Sequence, residues 1–304
     1  MLVSLVRFSL ALLVAPVAVA SCGSDDTKAP NAAVATTGPL TVSPQNSEYL
    51  IGINRVSLAL FDQNRHPVSG ARASLDVQGG VTGGGSVETR PLEDIGPQYG
   101  GIPIYVTTAK FPQVGSYKFV VRAALADGSS ISGQAFVNVT NKSLEFPIGY
   151  GVPALRQPII GDPGVTIEKV DSGVPPDSWH TATIADGLTQ HRPMVLYFGE
   201  PGFCKSRTCG PTVKVLQQFQ QQGGTSFLFE HIEDHFPAGP DESSTMNPAF
   251  AAFGLQTDPW VFFVNRDGVI SDRFEGPITV AELVSAAQGT LAGKVPAVDV
   301  SVGP

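Results

Sequence analysis

The sequence predicts two folded parts, an all-β part followed by an α/β part, joined by a proline-rich segment. Residues 45–140 contain short β-rich runs separated by turn residues at intervals of about 8–12 residues. Residues 141–180 contain six prolines and lack a regular apolar period. Residues 181–295 alternate between strand-like and helical patterns. The fold class predicted is therefore multidomain, and residues 296–304 are expected to form a C-terminal tail.

The N-terminus has the pattern of an export signal. Arg7 is the only charged residue before Cys22, and the apolar run Leu10–Val19 is too short for a membrane span of about 20 residues. The run ends in Val19-Ala20-Ser21-Cys22, which resembles a bacterial lipobox. The resemblance implies that residues 1–21 are removed and that Cys22 carries lipid. It also implies that residues 22–44 tether the protein to the extracytoplasmic face of the cell membrane. An ordinary signal peptide cut elsewhere is the alternative.

Composition limits the partners of the chain. A net charge of −8 argues against nucleic acid as a partner. If Cys22 carries lipid, two of the three cysteines remain, in a compartment where disulfides persist. No cofactor and no metal ligand are predicted from the sequence.

The all-β part is predicted from alternating apolar residues and a hairpin signal at Asp127-Gly128. The strand-like runs are Arg55–Phe61, Ala71–Val77, Ile102–Thr108, Tyr117–Leu125 and Gln134–Val139. The piece Val114–Val121 resembles the late strand of bacterial immunoglobulin-like modules, which implies a β-sandwich over residues 45–140. No catalytic side chains concentrate there, so this part is expected to act as a spacer or a partner-binding module.

The α/β part begins with a short capped helix and a buried strand, Met194–Phe198. A helix is predicted over Pro211–Gln222 because Val215, Leu216 and Phe219 share one face and two glycines follow. The later elements are a strand at 226–232, a short helix at 248–254, a hairpin of strands at 260–265 and 269–274, and a helix at 279–291.

The run Val195–Thr212 resembles the active-site region of thioredoxins, where an apolar strand leads to Cys-Gly-Pro-Cys at a helix start. Here Cys209-Gly210-Pro211 matches three of those four residues, and Thr212 stands in place of the second cysteine. A second cysteine lies upstream at Cys204. The resemblance implies a thioredoxin fold for residues 181–295 and catalytic roles for Cys209 and Cys204.

The predicted roles within the pair follow from the helix start. Unpaired N–H groups and the helix dipole favour a thiolate at Cys209, which makes it the expected attacking thiol, with Cys204 resolving. The roles reverse if the helix begins at Lys205. Four intervening residues allow the two Cα atoms to reach a disulfide separation of about 4.4–6.8 Å.

Asp258-Pro259-Trp260 is the second point of resemblance, because thioredoxins place a cis-proline before this strand, next to the cysteines. The resemblance implies that Pro259, Trp260, Gly210 and Pro211 contact substrate. The function predicted is an extracytoplasmic thiol–disulfide oxidoreductase, with exported thiol or disulfide proteins or a membrane redox partner as partners. One departure is Tyr197, which occupies the place of the buried aspartate that accepts a proton in thioredoxins.

Three alternative functions stay open from the sequence. A peroxiredoxin-like thiol peroxidase matches the spacing of Ser206 and Cys209, with Arg273 as a candidate distal arginine. A Sco-like copper chaperone would use the cysteines and a histidine, but His231 and His235 fit a solvated strand edge better. The third alternative is a non-catalytic binding lipoprotein in which Cys204 and Cys209 form a structural disulfide.

Overall fold

The computed structural model of the chain describes residues 39–79, 86–297 and 300–302. The predicted signal peptide and Cys22 lie outside the described residues, so lipidation stays a prediction. No helix among the described residues is long and apolar enough to span a membrane.

The all-β part of the predicted fold class is confirmed as a sheet of eight strands within the described residues. The strands are β1 (Leu40–Pro44), β2 (Tyr49–Leu50), β3 (Gly52–Asp62), β4 (Arg72–Gly79), β5 (Ser86–Asp94), β6 (Ile104–Phe111), β7 (Gly115–Ala124) and β8 (Ser130–Thr140). Their order is β1-β3-β6-β5-β4-β7-β8-β2, and most neighbours run antiparallel. We call it the curled sheet.

Side-chain alternation explains why the curled sheet encloses a core. Along β7, Tyr117, Phe119 and Val121 are buried while the residues between them are more exposed, as expected for a strand with one covered face. The sheet curls until β1 lies against β8. A Cβ atom at Gly133 would lie only 1.8 Å from the carbonyl oxygen of Leu40, so this approach requires glycine.

The remaining elements form a four-stranded mixed sheet, two small sheets that pair β12 with β13 and β9 with β16, and the helices around them. In chain order they are β9 (Lys142–Ser143), α1 (Ile167–Val170), α2 (Ile184–Thr189), β10 (Met194–Phe198), α3 (Cys209–Gln222), β11 (Leu228–Ile232), β12 (His235–Phe236), β13 (Thr245–Met246), α4 (Pro248–Ala252), β14 (Trp260–Val264), β15 (Ile270–Glu275), α5 (Val280–Leu291) and β16 (Ser301–Val302). The sheet order is β11-β10-β14-β15; β10 and β11 are parallel, and the other pairs are antiparallel.

Strand β10 is buried on both faces of the mixed sheet. Val195 and Tyr197 belong to the core beneath α3 and α5, whereas Leu196 and Phe198 belong to the opposite core, which includes residues of α2 and α4. Helix α3 ends at Gln222, just before the predicted stop at Gly223, but it begins at Cys209, two residues before the predicted start.

The proline-rich segment 141–180, which we call the strap, packs against the mixed sheet along much of its length. Phe146 and Val152 enter the core on the α2 side, and Trp179 stacks on Phe229 with ring centroids 5.0 Å apart. The curled sheet also shares a core with α3 and α5 through residues such as Ile95 and Ile104. The division into separate domains at the predicted boundaries stays a prediction.

Candidate metal centre

The two cysteines form a disulfide, with Cα atoms 6.0 Å apart. Cys209 is the first residue of α3 and fully buried, while Cys204 is half-buried in the preceding loop. Gly210 and Pro211 follow in the first turn of the helix.

A carboxylate and a phenol lie beside Cys209. The Sγ atom of Cys209 is 2.9 Å from Oδ2 of Asp258, and the hydroxyl of Tyr197 donates to the backbone oxygen of Cys209 at 3.0 Å. Burial, with the nearby Glu200 charge, raises the pKa of Asp258. The Asp258–Pro259 peptide is cis. Trp260, predicted to contact substrate, is only 3 % exposed, and its Nε1–H donates to Thr257.

A second group of polar side chains lies beneath this region, where the strap crosses strand β11. Asp171, Asp177 and His180 come from the strap, and His231 comes from β11. One ligand atom from each lies within 4.8 Å of the others, and the four side chains are 0–2 % exposed. We call these four residues the strap cluster.

The imidazole of His180 faces both carboxylates of the strap cluster. Its Nε2 atom lies 3.1 Å from Oδ2 of Asp171 and 3.2 Å from Oδ1 of Asp177. The Nδ1 atom of His231 lies 2.9 Å from Oδ2 of Asp177 and 3.8 Å from Oδ2 of Asp171. Two imidazole nitrogens and the oxygens of two carboxylates thus converge on one small volume.

The orientation of His231 is fixed by its other nitrogen. Nε2 lies 2.9 Å from the carbonyl oxygen of Gly199. Because a carbonyl oxygen only accepts, Nε2 carries a proton, and in a neutral imidazole Nδ1 then holds a lone pair. That lone pair would face the carboxylate of Asp177. A positive centre, either a proton or a metal ion, must therefore lie between Nδ1 and the carboxylate.

Backbone groups hold both carboxylates in place. Asp171 accepts from the backbone N–H groups of Gly173 and Asp177, each at 2.6 Å, and Asp177 accepts from that of Trp179 at 2.9 Å. Such support orients acceptor oxygens towards a common point, as in the outer shells of metal sites.

The electrostatics of the strap cluster favour cations at the nitrogens and anions at the oxygens. Burial alone would lower the pKa of His180, but its contacts with Asp171 and Asp177 raise it to about 9. Burial would likewise raise the pKa of Asp177, but the hydrogen bonds with His180 and His231 lower it. The buried carboxylates therefore stay ionised beside positive charge.

Sequence reasoning missed the strap cluster. His231 was expected at a solvated strand edge, and no role as a metal ligand was predicted for the other three residues. The structure places His231 under the strap, where its backbone N–H donates to the carbonyl oxygen of Trp179 at 2.9 Å. His235 is separate and contacts Glu200 at 2.9 Å. The usable signal was a histidine in the otherwise mostly apolar run Leu228–Ile232.

Comparisons with known proteins found no matching family model and no matching curated protein. Among solved structures, CopC from Methylosinus trichosporium OB3b is 14 % identical with a TM-score of 0.24, over 36 % of this chain and 95 % of its own. The soluble domain of PmoD from Methylocystis sp. ATCC 49242 (Rockwell) is 10 % identical with a TM-score of 0.23, over 36 % and 96 %. MtrC from Shewanella baltica OS185 is 17 % identical with a TM-score of 0.25, over 40 % and 24 %. At these TM-scores no likeness determines a function.

The comparisons contradict the assignment to thioredoxin-like redoxin lipoproteins with an immunoglobulin-like module, because the structures found are CopC, PmoD and MtrC and no family model matches. The predicted function as a thiol–disulfide oxidoreductase is contradicted together with that assignment. The site departs from the redoxin pattern too. Thr212, at the position of the second redoxin cysteine, is a buried hydroxyl 3.4 Å from that of Tyr99.

The same comparisons contradict the other predicted functions. For two of them, contacts in the structure also show why the predicted residues do not fit. Arg273, the candidate peroxidase arginine, pairs with Glu48 at 2.5 Å, and its guanidinium lies over Trp260. His231, considered for a Sco-like copper site with the cysteines, directs its ring to Asp177 and Gly199 instead. Of the third alternative, the Cys204–Cys209 disulfide is present in the structure.

Proposed function

We propose that this protein binds a divalent transition-metal ion at the strap cluster. The observation that carries the proposal is the proton-bearing Nε2 of His231, which donates to Gly199 and leaves Nδ1 directed at two ionised carboxylates. Histidine ligands of metals characteristically donate their second nitrogen to a carbonyl or carboxylate in this way.

The spacing of the donor atoms suits a small cation. Metal–ligand bonds of about 2.0–2.1 Å in a tetrahedral site place neighbouring ligand atoms about 3.3 Å apart. The four imidazole–carboxylate distances of the strap cluster run from 2.9 to 3.8 Å. They lie within about 0.5 Å of the tetrahedral value.

The donor set selects the class of metal. Two imidazoles favour zinc, copper, iron or nickel over magnesium or calcium, and the absence of thiolate and thioether from the four residues disfavours Cu(I). Zn²⁺ and Cu²⁺ are therefore the ions to test first. Since all four side chains are buried, the bound ion would have little room for water, as in closed structural sites.

The test is a titration of the full chain with Zn²⁺ and with Cu²⁺ after treatment with a chelator. One ion per chain is expected, and a ligand that binds only the folded state raises the free energy of unfolding by about 2.7 kcal/mol at 100 times its Kd. Co²⁺ serves as a spectroscopic probe, because its visible absorption reports the number and type of ligands.

With little change in side-chain volume, Asp177→Asn removes the charge of one carboxylate and His231→Gln removes one imidazole. Both are expected to weaken binding by about 100-fold or more. His66→Gln is the matched control, because the His66 side chain is 75 % exposed in a turn of the curled sheet, where it pairs with Asp62. Absence of saturable binding by the wild-type chain, or unchanged binding by folded Asp177→Asn and His231→Gln, contradicts the proposal. The four groups would then be a proton-bearing ion-pair network.

On fold alone, the order and directions of β10, β11, β14 and β15 support a thioredoxin-type topology for the mixed sheet. This likeness is one of strand order and direction only. Membership of the thioredoxin family and redox activity are not part of the proposal. The extracytoplasmic location predicted from the export signal also stays a proposal.

A further inference from the structure

Four charged side chains meet where the curled sheet, the strap and the mixed sheet come together. Glu48 lies in the loop before β2, Glu145 lies in the strap, and Arg273 and Glu275 lie on β15. The three glutamates are 0–7 % exposed. We call these four residues the junction cluster.

Glu48 is the fully paired member. Its Oε1 accepts from Nη2 of Arg273 at 2.5 Å and from the hydroxyl of Ser143 at 2.6 Å. Its Oε2 accepts from the backbone N–H of Leu144 at 2.7 Å. The single guanidinium of the cluster is therefore committed to Glu48.

Glu145 and Glu275 share one hydroxyl group. The Oγ atom of Ser47 lies 3.2 Å from Oε1 of Glu145 and 3.1 Å from Oε2 of Glu275. A hydroxyl has one hydrogen, so it can donate to only one of the two. The Oε2 atom of Glu145 is buried without a hydrogen-bond partner. At least one of these carboxyl groups must carry its own proton to avoid an unmatched buried charge.

Among the described residues, no other cation pairs with Glu145 or Glu275. Arg55 approaches Glu275, but it contacts the backbone oxygen at 3.3 Å, and its guanidinium is paired with Glu282 at 2.6 Å. Tyr49 also faces Glu275, and burial raises its pKa well above the usual value, so it stays neutral. Glu145 and Glu275 therefore have no guanidinium of their own, because that of Arg273 is paired with Glu48.

We propose that the junction cluster makes the contact between the curled sheet and β15 pH-responsive, holding it while Glu145 and Glu275 carry protons and weakening it when they ionise. Ser47 is the residue most directly affected, because its backbone N–H donates to Glu275 at 2.8 Å and its hydroxyl lies between the two carboxyl groups. Two ionised glutamates would repel each other across that bridge.

The pH range over which the contact weakens follows from the burial of Glu145 and Glu275. Burial, with the charge of Glu48 beside it, raises the pKa of Glu145 to about 8. Burial raises the pKa of Glu275 to about 7. Both values lie above that of an unfolded glutamate, so the stabilisation is complete below about pH 4.3 and is lost as pH rises through 7 and 8.

The experiment compares the unfolding equilibrium constant of the wild-type chain with that of Glu145→Gln across pH 5–8.5. Using the ratio cancels the titration of groups elsewhere. We expect the ratio of wild type to variant to rise by up to about tenfold per pH unit and to level off above the pKa of Glu145. Glu242→Gln, an exposed position, is the matched control and should give a flat ratio.

A local readout separates this effect from general unfolding. Trp260 donates to Thr257, whose hydroxyl donates to Glu275, and the guanidinium of Arg273 lies 5.5 Å from its ring. In a Trp179→Phe background, Trp260 is the one remaining tryptophan of the chain. Its emission should shift between pH 6 and 9 under native conditions, and less so when Glu145→Gln is added.

Glu48→Gln removes the carboxylate that pairs with Arg273, so it should promote unfolding even at pH 5, where Glu145 carries its proton. A wild-type to Glu145→Gln ratio constant within about twofold from pH 5 to 8.5 overturns the proposal, as does a Trp260 emission that does not change between pH 6 and 9.

Discussion

The hydroxyl of Tyr99 and the backbone of Ile278 form a reciprocal pair: the hydroxyl donates to the carbonyl oxygen at 2.7 Å and accepts from the N–H at 2.7 Å. Tyr99 precedes β6 of the curled sheet, and Ile278 precedes helix α5 of the mixed-sheet part. One side chain thereby satisfies two buried backbone groups across the boundary between the two parts.

Tyr99→Phe should lower the free energy of unfolding by about 1–3 kcal/mol, because it leaves the N–H and carbonyl groups of Ile278 without that partner. Chemical denaturation measures the change. Tyr150→Phe removes a hydroxyl from a tyrosine that is 37 % exposed and should change stability by less than about 0.5 kcal/mol. Equal effects of the two substitutions would contradict the assigned role of Tyr99.

Phe253→Ala should lower the free energy of unfolding by about 3–5 kcal/mol, because it opens a cavity in a closed aromatic core. The ring of Phe253 contacts those of Phe146, Phe198 and Phe262 at centroid distances of 4.6–5.0 Å. Thermal unfolding is the measurement, with Phe203→Ala as the control because Phe203 is 50 % exposed. A loss no greater than that of the control would refute the packing described for the strap.

Thr279→Ala should cost about 0.5–2 kcal/mol through loss of a helix cap. The Thr279 hydroxyl accepts from the backbone N–H of Glu282, and the Glu282 carboxylate accepts from that of Thr279. Ser285→Ala lies in the same helix at an exposed position and should be neutral or slightly stabilising. The two variants are compared by urea unfolding, and a neutral Thr279→Ala would exclude the capping contribution.

Asp272→Asn should stabilise the protein at pH 7 by about 1–2 kcal/mol. Burial raises the pKa of Asp272 to about 6, so the contribution of its protonated form is complete below about pH 4 and is lost as pH rises through 6. Asparagine keeps the oxygen that accepts from the backbone N–H of Arg273. Stability measured from pH 4 to 7 should fall less in the variant than in wild type, whereas exposed Asp267→Asn should follow wild type.

Local pattern predicted much of the mixed-sheet part. Met194–Phe198 was predicted as a strand from its apolar run and is strand β10. The face formed by Val215, Leu216 and Phe219 is buried, and the helix ends just before the predicted glycine. These elements succeed because their periodicity and stop signals act within a few residues of each other.

The strap cluster could not be predicted from such patterns. Three of its residues come from a segment whose six prolines hide any periodicity, and the fourth lies more than 50 residues later. His231 belongs to an edge strand, which was expected to face solvent, but the strap covers that edge. His231 is buried because the strap passes over its strand, and the local sequence around His231 carries no information about where the strap lies. The family resemblance failed for a similar reason, because a short cysteine motif does not determine the function of the surrounding chain.

The strap also binds the opposite edge of the mixed sheet. Gly149 donates to the carbonyl oxygen of Ile270 at 2.8 Å, and the N–H of Ile270 donates to Tyr150 at 2.9 Å. An uncovered edge strand can recruit strands from other molecules and start aggregation. The strap covers both edge strands of the mixed sheet, β11 and β15. Prolines within the strap have no N–H group with which to pair with a further strand. One segment thus protects the mixed sheet at both ends from intermolecular strand addition, the first step towards fibres and domain-swapped oligomers.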